Sequence, residues 1–178
     1  MIGNGPVSER GNLHTAPEAA TADGDTQAHL IINADDFGAS RGINRGIVAC
    51  HLNGIVTSTS LMVTGRALDD AVALARDLPD LAIGLHWDVV GESDECTFDL
   101  SDARAVRDEF ARQLDAFVAA TGQLPTHIDS HRHLHMDPVV LPLFRELVAS
   151  LGLPLRGEPR GRFINDFYAQ PEWGVTDL

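Results

Sequence analysis

The sequence predicts an α/β fold in which short parallel strands alternate with longer amphipathic helices. Short apolar runs recur along the chain, and one of them, Ile55–Val63, is rich in β-branched residues. Segments with apolar residues at helical spacing separate these runs. Acidic or imidazole side chains come directly after three of the runs. This is typical of parallel βαβ folds, in which reactive groups gather at the carboxyl ends of the strands.

The residue pattern in the first half of the chain predicts three strands and two connecting helices. The strands are Leu30–Asn33, Ile55–Val63 and Leu81–Leu85. The helices are Gly42–Asn53 and Ala67–Arg76, because apolar residues recur in both at helical spacing. Turn-forming residues follow each helix and stop it. Strands separated by helices of this length form parallel pairs.

The second half continues the alternation after a polar loop at Asp88–Leu100. A long helix is expected to begin with Ser101 as its N-cap and to end at Gly122. The elements predicted after it are a strand at Thr126–Asp129, a helix at Pro138–Ser150 and a candidate fifth strand at Leu153–Arg156. Residues 1–28 show neither periodicity nor a signal-peptide pattern, and we expect a flexible tail there. Residues 29–178 then form one domain.

Charge and composition exclude several classes of partner. The net charge of −13 argues against nucleic acid and against anionic membrane surfaces. No apolar run is long enough for a membrane span. Cys50 and Cys96 lack metal-site spacing and are expected to be unpaired, which suits a reducing cytoplasm. A small neutral or cationic substrate fits this chain best, or a site in which a metal supplies positive charge.

Four of the eight histidines lie within nine residues, beside Asp129. Imidazole is the commonest metal ligand among side chains, so this density favours a metal site over a solvated polar loop. Strand alternation predicts that His127, Asp129 and His131 share one face. His133 and His135 would then reach the same cavity from a loop. Members of this group that do not bind the ion are expected to orient its ligands or to contact substrate.

Two further motifs end on reactive side chains. Asp35 and Asp36 follow the first apolar run, and adjacent carboxylates repel unless a positive charge lies nearby. In a strand they would point to opposite sides, so one could bind a metal while the other accepts a proton. The alternative is a helix cap or an Asx-turn. His86 follows the third run, beside Trp87, and taken alone is more typical of a structural histidine.

These residues together favour a mononuclear metal hydrolase. One metal held by three protein ligands leaves a coordination position for water and substrate. The chain has no GxSxG nucleophile elbow, and neither Cys50 nor Cys96 has the context of a nucleophile. A metal-dependent phosphoesterase stays open as an alternative, since Asp and His clusters serve that chemistry too. A second set of bridging carboxylates is not evident, which weakens it.

Four motifs in this order resemble the YdjC-like carbohydrate deacetylases, the group that contains chitooligosaccharide deacetylase and hopanoid-associated relatives. The motifs are Asn33–Gly38, Gly54–Ser60, Ala82–His86 and Thr126–His131. The resemblance covers nearly all of the chain outside its tail. It implies hydrolysis of N-acetyl groups on amino sugars or short chitooligosaccharide-like carbohydrates, with release of acetate.

The resemblance also implies an irregular (β/α) TIM-like barrel, a homodimer and a divalent cation, Mg²⁺ or Zn²⁺. Carried over by position, Asp36, His86 and His131 are the metal ligands, and Asp35 is the general base. The residues expected to bind substrate or to support the ligands are His127, Asp129, His133, His135 and Trp87.

The chain departs from the family pattern at two places. The stretch between His86 and Thr126 is shorter than usual, and a late Cys-His-Pro-like segment, whose histidine resembles the general acid, is not found. His133 or His135 is the substitute candidate for that acid. We therefore expect a barrel incomplete at its C-terminal end, with an edge that another subunit could cover. The alternative function is a non-catalytic, truncated relative that binds metal or sugar.

Overall fold

The computed structural model describes residues 30–91 and 95–158. The strands are β1 (Asn33–Phe37), β2 (Ser58–Leu61), β3 (Ala82–Trp87) and β4 (Ile128–Ser130). The helices are α1 (Arg41–Asn53), α2 (Leu68–Ala75), α3 (Ala103–Thr121) and α4 (Leu141–Leu151), and a short 3₁₀ segment, His131–Met136, directly follows β4. The tail predicted at residues 1–28 lies outside the described residues and stays a prediction.

The strands form one parallel sheet in the sequential order β1-β2-β3-β4. A helix connects each of these strands to the next, so the α/β prediction with βαβ units is confirmed. Sequential parallel order is also the order within a β/α barrel, and the sheet is consistent with part of one. Closure into a TIM-like barrel stays a prediction. Among the described helices, none combines the length and apolarity needed to cross a membrane.

The first strand begins later than its apolar residues predict. Leu30 and Ile31 are largely exposed, and pairing with β2 begins only at Asn33, which lies opposite Ser58. The prediction of Leu30–Asn33 was wrong because it treated apolarity as the signal for pairing. As a consequence Asp35 lies inside the strand rather than after it.

The long helix α3 has a different N-cap from the predicted Ser101. The carboxylate of Asp102 accepts hydrogen bonds from the N–H groups of Arg104 and Ala105, at 3.0 and 3.1 Å. A carboxylate at this end also complements the helix dipole. The predicted stop is confirmed, because Gly122 follows the helix with a left-handed φ of 76°.

The candidate fifth strand is reduced to a single bridge beside β4. Leu155 pairs with Ile128 in parallel, and the N–H of Arg156 donates to the carbonyl of Ile128 at 3.0 Å. One bridge does not make a strand, but it extends the sheet's hydrogen bonding by one step. The bridge brings Arg156 to the carboxyl edge of the sheet, where the candidate site residues lie.

Aromatic rings fill the core between the sheet and α3 and α4. Trp87 contacts Phe144 with ring centroids 4.9 Å apart, and Phe110 contacts Phe144 at 5.5 Å. Trp87 is completely buried and also meets Phe98. Successive strand residues face opposite sides of a sheet, so Trp87 points away from its neighbour His86. The structure therefore places Trp87 in the core and not at the site where it was expected to contact substrate or support ligands.

Candidate metal centre

Three predicted ligands come together at the carboxyl edge of the sheet. Asp36 comes from β1, His86 from β3, and His131 from the first position after β4. Asp36 Oδ1 lies 3.3 Å from His86 Nε2 and 3.2 Å from His131 Nδ1. One candidate ligand atom from each of the three lies within 4.8 Å of the others. Neighbouring parallel strands bring these distant positions together because their carboxyl ends meet at one edge.

A bulge in β1 turns both acidic residues toward this edge. The register of β1 against β2 shifts between Ala34 and Phe37, and Asp36 has a left-handed φ of 65°. Because the bulge breaks the alternation of side chains, Asp35 and Asp36 both approach His86. Asp36 forms a possible metal-binding group with His86 and His131, and Asp35 forms another with His86 and Asp129. The expectation that they point to opposite sides was wrong, although they do bind different partners.

Asp129 orients His86. His86 Nδ1 donates a hydrogen bond to Asp129 Oδ1 at 2.6 Å, and Asp129 is fully buried. Burial raises the pKa of Asp129, but the hydrogen bond and charge of His86 outweigh it and hold that pKa at about 2. A carboxylate accepts only, so the proton lies on Nδ1 and Nε2 faces Asp36. This carboxylate–histidine pair is the usual support for a metal-binding imidazole.

The electrostatics of the three ligands reflect their mutual contacts. Hydrogen bonds from His131 and His86 hold the pKa of Asp36 well below its usual range. Burial lowers the pKa of His86, but hydrogen bonds to Asp129 and Asp36 raise it overall to about 9. In the absence of a metal ion, protonated His86 is therefore favoured at neutral pH. The group formed by Asp36, His86 and His131 thus attracts positive charge.

Arg156 is the site residue that the sequence analysis missed. Its guanidinium donates to both oxygens of Asp35, at 2.8 Å from Nη1 and 2.5 Å from Nη2, and Nη2 also contacts Asp129 Oδ2. Burial raises the pKa of Asp35, but the hydrogen bonds and charge of Arg156 outweigh it, so that pKa is lowered overall. The available signal was the positive charge that two adjacent acids require, combined with the position of Arg156 at the end of the candidate fifth strand.

His127 lies beside the cluster and packs against β3. Its Nε2 lies 3.2 Å from Ser60 Oγ and 3.9 Å from Asp129 Oδ2. The ring occupies the space over Gly84, where any Cβ would overlap it. Burial lowers the pKa of His127, which favours the neutral ring. The expectation that His127 and Asp129 share a face with His131 fits this arrangement.

His135 faces the interior instead of the cavity. It is fully buried, and Ser130 Oγ lies 2.7 Å from its Nδ1 and 2.8 Å from its backbone nitrogen. Its Nε2 lies 3.2 Å from the carbonyl oxygen of Arg156. Burial lowers the pKa of His135 to about 4, so the ring is neutral at pH 7. His135 therefore supports the backbone that carries Arg156.

His133 lies on the turn that follows β4. Arg132 and His133 both adopt left-handed φ angles, 53° and 55°, so the chain reverses there as predicted. The ring of His133 is part-buried and meets that of His135 edge to face, with centroids 6.1 Å apart. Burial lowers the pKa of His133.

An open cleft of about 350 Å³ lies next to two of the three candidate ligands. Asp36 and His131 line it together with residues of the loops after β2 and β3, which include Met62, Thr64, Arg66 and Asp88. The carboxylate of Asp88 is held in place by hydrogen bonds, since it accepts from Thr64 Oγ1 at 2.9 Å and from two backbone N–H groups. The cleft offers a small polar molecule hydrogen-bond partners beside the ligand atoms.

The three residues fit a divalent cation. Ligand atoms around a tetrahedral Zn²⁺, each about 2.0–2.2 Å from the ion, stand about 3.4 Å apart. The separations of 3.2 and 3.3 Å between Asp36 and the two imidazoles are close to that value. One carboxylate oxygen, two imidazole nitrogens and a supporting carboxylate on His86 form a usual donor set for catalytic metal ions.

Comparisons with known proteins agree with the resemblance seen in the sequence. Residues 29–172 match the family model described as YdjC-like protein. A crystal structure of a "putative cellobiose-phosphate cleavage protein" from Enterococcus faecalis is 30% identical to this chain with a TM-score of 0.63. The match covers 74% of this chain and 59% of that one, so the chain spans about three fifths of that protein's length. Since the family model matches most of its residues, this chain belongs to the YdjC-like family.

Proposed function

We propose that this chain is a metal-dependent carbohydrate deacetylase that hydrolyses N-acetyl groups on amino sugars or short chitooligosaccharide-like molecules. The observation that carries the proposal is the convergence of Asp36, His86 and His131 next to a second carboxylate, Asp35. The YdjC-like family includes carbohydrate deacetylases. The Enterococcus relative is named for a phosphorylated disaccharide, which also supports a carbohydrate substrate.

Asp36, His86 and His131 would hold the cation. A bound divalent ion would polarise the acetyl carbonyl and lower the pKa of the water that attacks it. Zn²⁺ and other first-row ions suit two imidazoles and one carboxylate better than Mg²⁺, which prefers oxygen ligands. We therefore place Zn²⁺ or a similar ion ahead of Mg²⁺.

Asp35 would accept the proton of the attacking water. Arg156 holds its carboxylate ionised and fixes its orientation through two hydrogen bonds. The lowered pKa of Asp35 makes it a modest base, so the transfer depends on a water that is already acidified. Arg156 thus ensures that Asp35 is in its proton-accepting form at neutral pH.

The leaving amine needs a proton, and the two histidines proposed for this task differ. His135 has both ring nitrogens in hydrogen bonds and is buried away from the cleft. His133 lies on the turn next to His131 and is only part-buried. His133 is therefore the better candidate among the described residues.

A specific observation weighs against the phosphoesterase alternative. A second ion would need a second set of carboxylates, and Asp35 and Asp129 are the nearby pair. Arg156 already contacts both of them. Positive charge from the protein itself occupies the place that a second metal would take, which favours a mononuclear site.

The experiment is to measure acetate release from N-acetylglucosamine oligomers, with and without a phosphate group. The full chain is assayed with Zn²⁺, with Mg²⁺ and with a chelator, and p-nitrophenyl phosphate serves as the comparison substrate. We expect acetate release that requires metal. Metal binding without acetate release would support the non-catalytic alternative, and turnover of the phosphate ester alone would support the phosphoesterase.

A further inference from the structure

Asn44 is a polar residue on the buried face of α1. It is completely inaccessible to solvent, and the other buried residue of the helix, Ile47, lies one turn later on the same face. A buried amide costs free energy unless its hydrogen bonds are made, so its partners indicate why it is there. Two of those partners, Gly38 and Ala67, belong to the loops that form the cleft, and the third, Asp70, lies in the first turn of α2.

The side chain of Asn44 joins the loop after β1 to the loop after β2. Its Oδ1 accepts a hydrogen bond from the N–H of Gly38 at 2.7 Å. Its Nδ2 donates to the carbonyl of Ala67 at 3.1 Å and to Asp70 Oδ2 at 2.8 Å. The backbones meet at the same point, because the N–H of Ala67 donates to the carbonyl of Gly38 at 2.8 Å.

The segment that Asn44 holds has an unusual backbone. Asp36 and Gly38 both adopt positive φ angles, 65° and 98°. Left-handed geometry is uncommon for aspartate and persists only where surrounding contacts enforce it. At Gly38 a Cβ would approach the carbonyl oxygen of Met62 to 2.8 Å, so the turn is also tightly packed. Release of Gly38 would let Asp36 relax toward ordinary strand geometry.

We propose that Asn44 is a positioning residue for the metal centre: by holding the Gly38 amide, it keeps the Asp36–Gly38 turn in the form that directs Asp36 between His86 and His131. Asn44 itself touches none of the three ligands in the described contacts. The inference rests on the proposed metal site and adds a residue that lies outside it. It predicts that metal affinity depends on a helix side chain behind the site.

The test compares Zn²⁺ affinity by calorimetry in four forms of the full chain. Asn44→Ala removes the Gly38 contact. Asp70→Ala removes a different partner of Asn44 and leaves that contact in place, and Phe117→Leu lowers stability from the core of α3. We expect Asn44→Ala to weaken binding about 10- to 100-fold, the range for residues that support metal ligands, and both controls to stay within about twofold. Equal affinity in Asn44→Ala and the controls would overturn the proposal.

A double variant and a backbone measurement separate positioning from general stability. Asn44→Asp combined with Asp70→Asn keeps an oxygen for the Gly38 N–H but gives up the hydrogen bond to the Ala67 carbonyl, so it should bind Zn²⁺ more tightly than Asn44→Ala and less tightly than the wild type. Hydrogen exchange at the Gly38 amide, measured without metal, should be slow in the wild type and fast in Asn44→Ala. An unprotected Gly38 amide in the wild type would overturn the proposal even if Asn44→Ala does not fold. Failure of the wild type to bind Zn²⁺ would instead contradict the proposed function.

Discussion

The acidic residues around His86 fall into a group of two and a group of one, which differ in the source of their positive charge. Asp35 and Asp129 share the guanidinium of Arg156, whose side chain is only 9% exposed. Asp36 instead faces the imidazoles of His86 and His131. The first group is paired with a permanent cation that belongs to the chain.

The second group attracts a charge that can be exchanged. Without an ion, His86 carries a proton on the Nε2 that faces Asp36, because hydrogen bonds to Asp129 and Asp36 raise its pKa to about 9 despite burial. With a divalent ion, the same nitrogen would become a ligand. Carboxylates that lie a few ångströms apart can thus form either a fixed ion pair or a site for an exchangeable cation. Contact with Arg156 distinguishes the first kind from the second.

The largest expected effect comes from removing the carboxylate that faces the two imidazoles. Asp36→Ala should weaken Zn²⁺ binding by more than about 100-fold. The substitution removes a direct ligand, and the loss of a residue that only supports a ligand already lowers metal affinity by about 10- to 100-fold. Acetate release should fall to background. Calorimetry and metal analysis of the purified chain measure the binding. Asp88→Asn, a change in the same cleft outside the ligand group, should keep the metal, and retention in Asp36→Ala would remove Asp36 from the ligand set.

Asp35→Asn should separate catalysis from metal binding. The substitution keeps the shape of the side chain but removes the proton acceptor, so kcat should fall by about 10²- to 10⁴-fold. Zn²⁺ affinity should change little, because Asp35 is not one of the three proposed ligands and its carboxylate is held by Arg156. Steady-state kinetics and calorimetry on the same preparation check both values. Full kcat in this variant would exclude Asp35 as the base.

Arg156→Met tests the fixed cation. It leaves the buried carboxylate of Asp129 short of a partner, which typically costs about 3–5 kcal/mol of unfolding free energy. Urea denaturation of the metal-free chain measures the loss. Arg107→Met, which breaks an exposed ion pair with Glu146, should change stability little. The Arg156 variant should also bind a second cation at high Zn²⁺ concentration; unchanged stability and stoichiometry would contradict the role given to Arg156.

The smallest effect concerns pH and His135. Its pKa is about 4 in the folded chain against 6.5 in the unfolded one, so the unfolded state takes up the proton first as the pH falls. Stability should therefore decrease between pH 6.5 and 4, by at most about 3 kcal/mol, and this contribution should be constant above pH 6.5. Denaturation curves of the wild type and His135→Gln across this range isolate the effect. Parallel curves would show that His135 does not titrate in this way.

The helices and the parallel α/β class were predictable because their signals are local. Apolar spacing placed α1 and α2 within a residue or so of their observed ends, and Gly122 marked the end of α3. Strand ends were less predictable, since pairing depends on a neighbouring strand. His86 lies inside β3 and Asp35 inside β1, where an apolar run alone put both residues just beyond the strand.

The sequence by itself determined which reactive residues the chain carries and which edge of the sheet they occupy. Parallel strands joined by helices bring their carboxyl ends together, and Asp36, His86 and His131 all lie at that edge. That they bind a metal stays a prediction. Only the tertiary structure decided that Arg156 pairs with Asp35 across 121 positions, that a bulge turns two adjacent acids the same way, and that His135 faces inward. These outcomes depend on long-range charge pairing and backbone packing, which no local pattern of residues encodes.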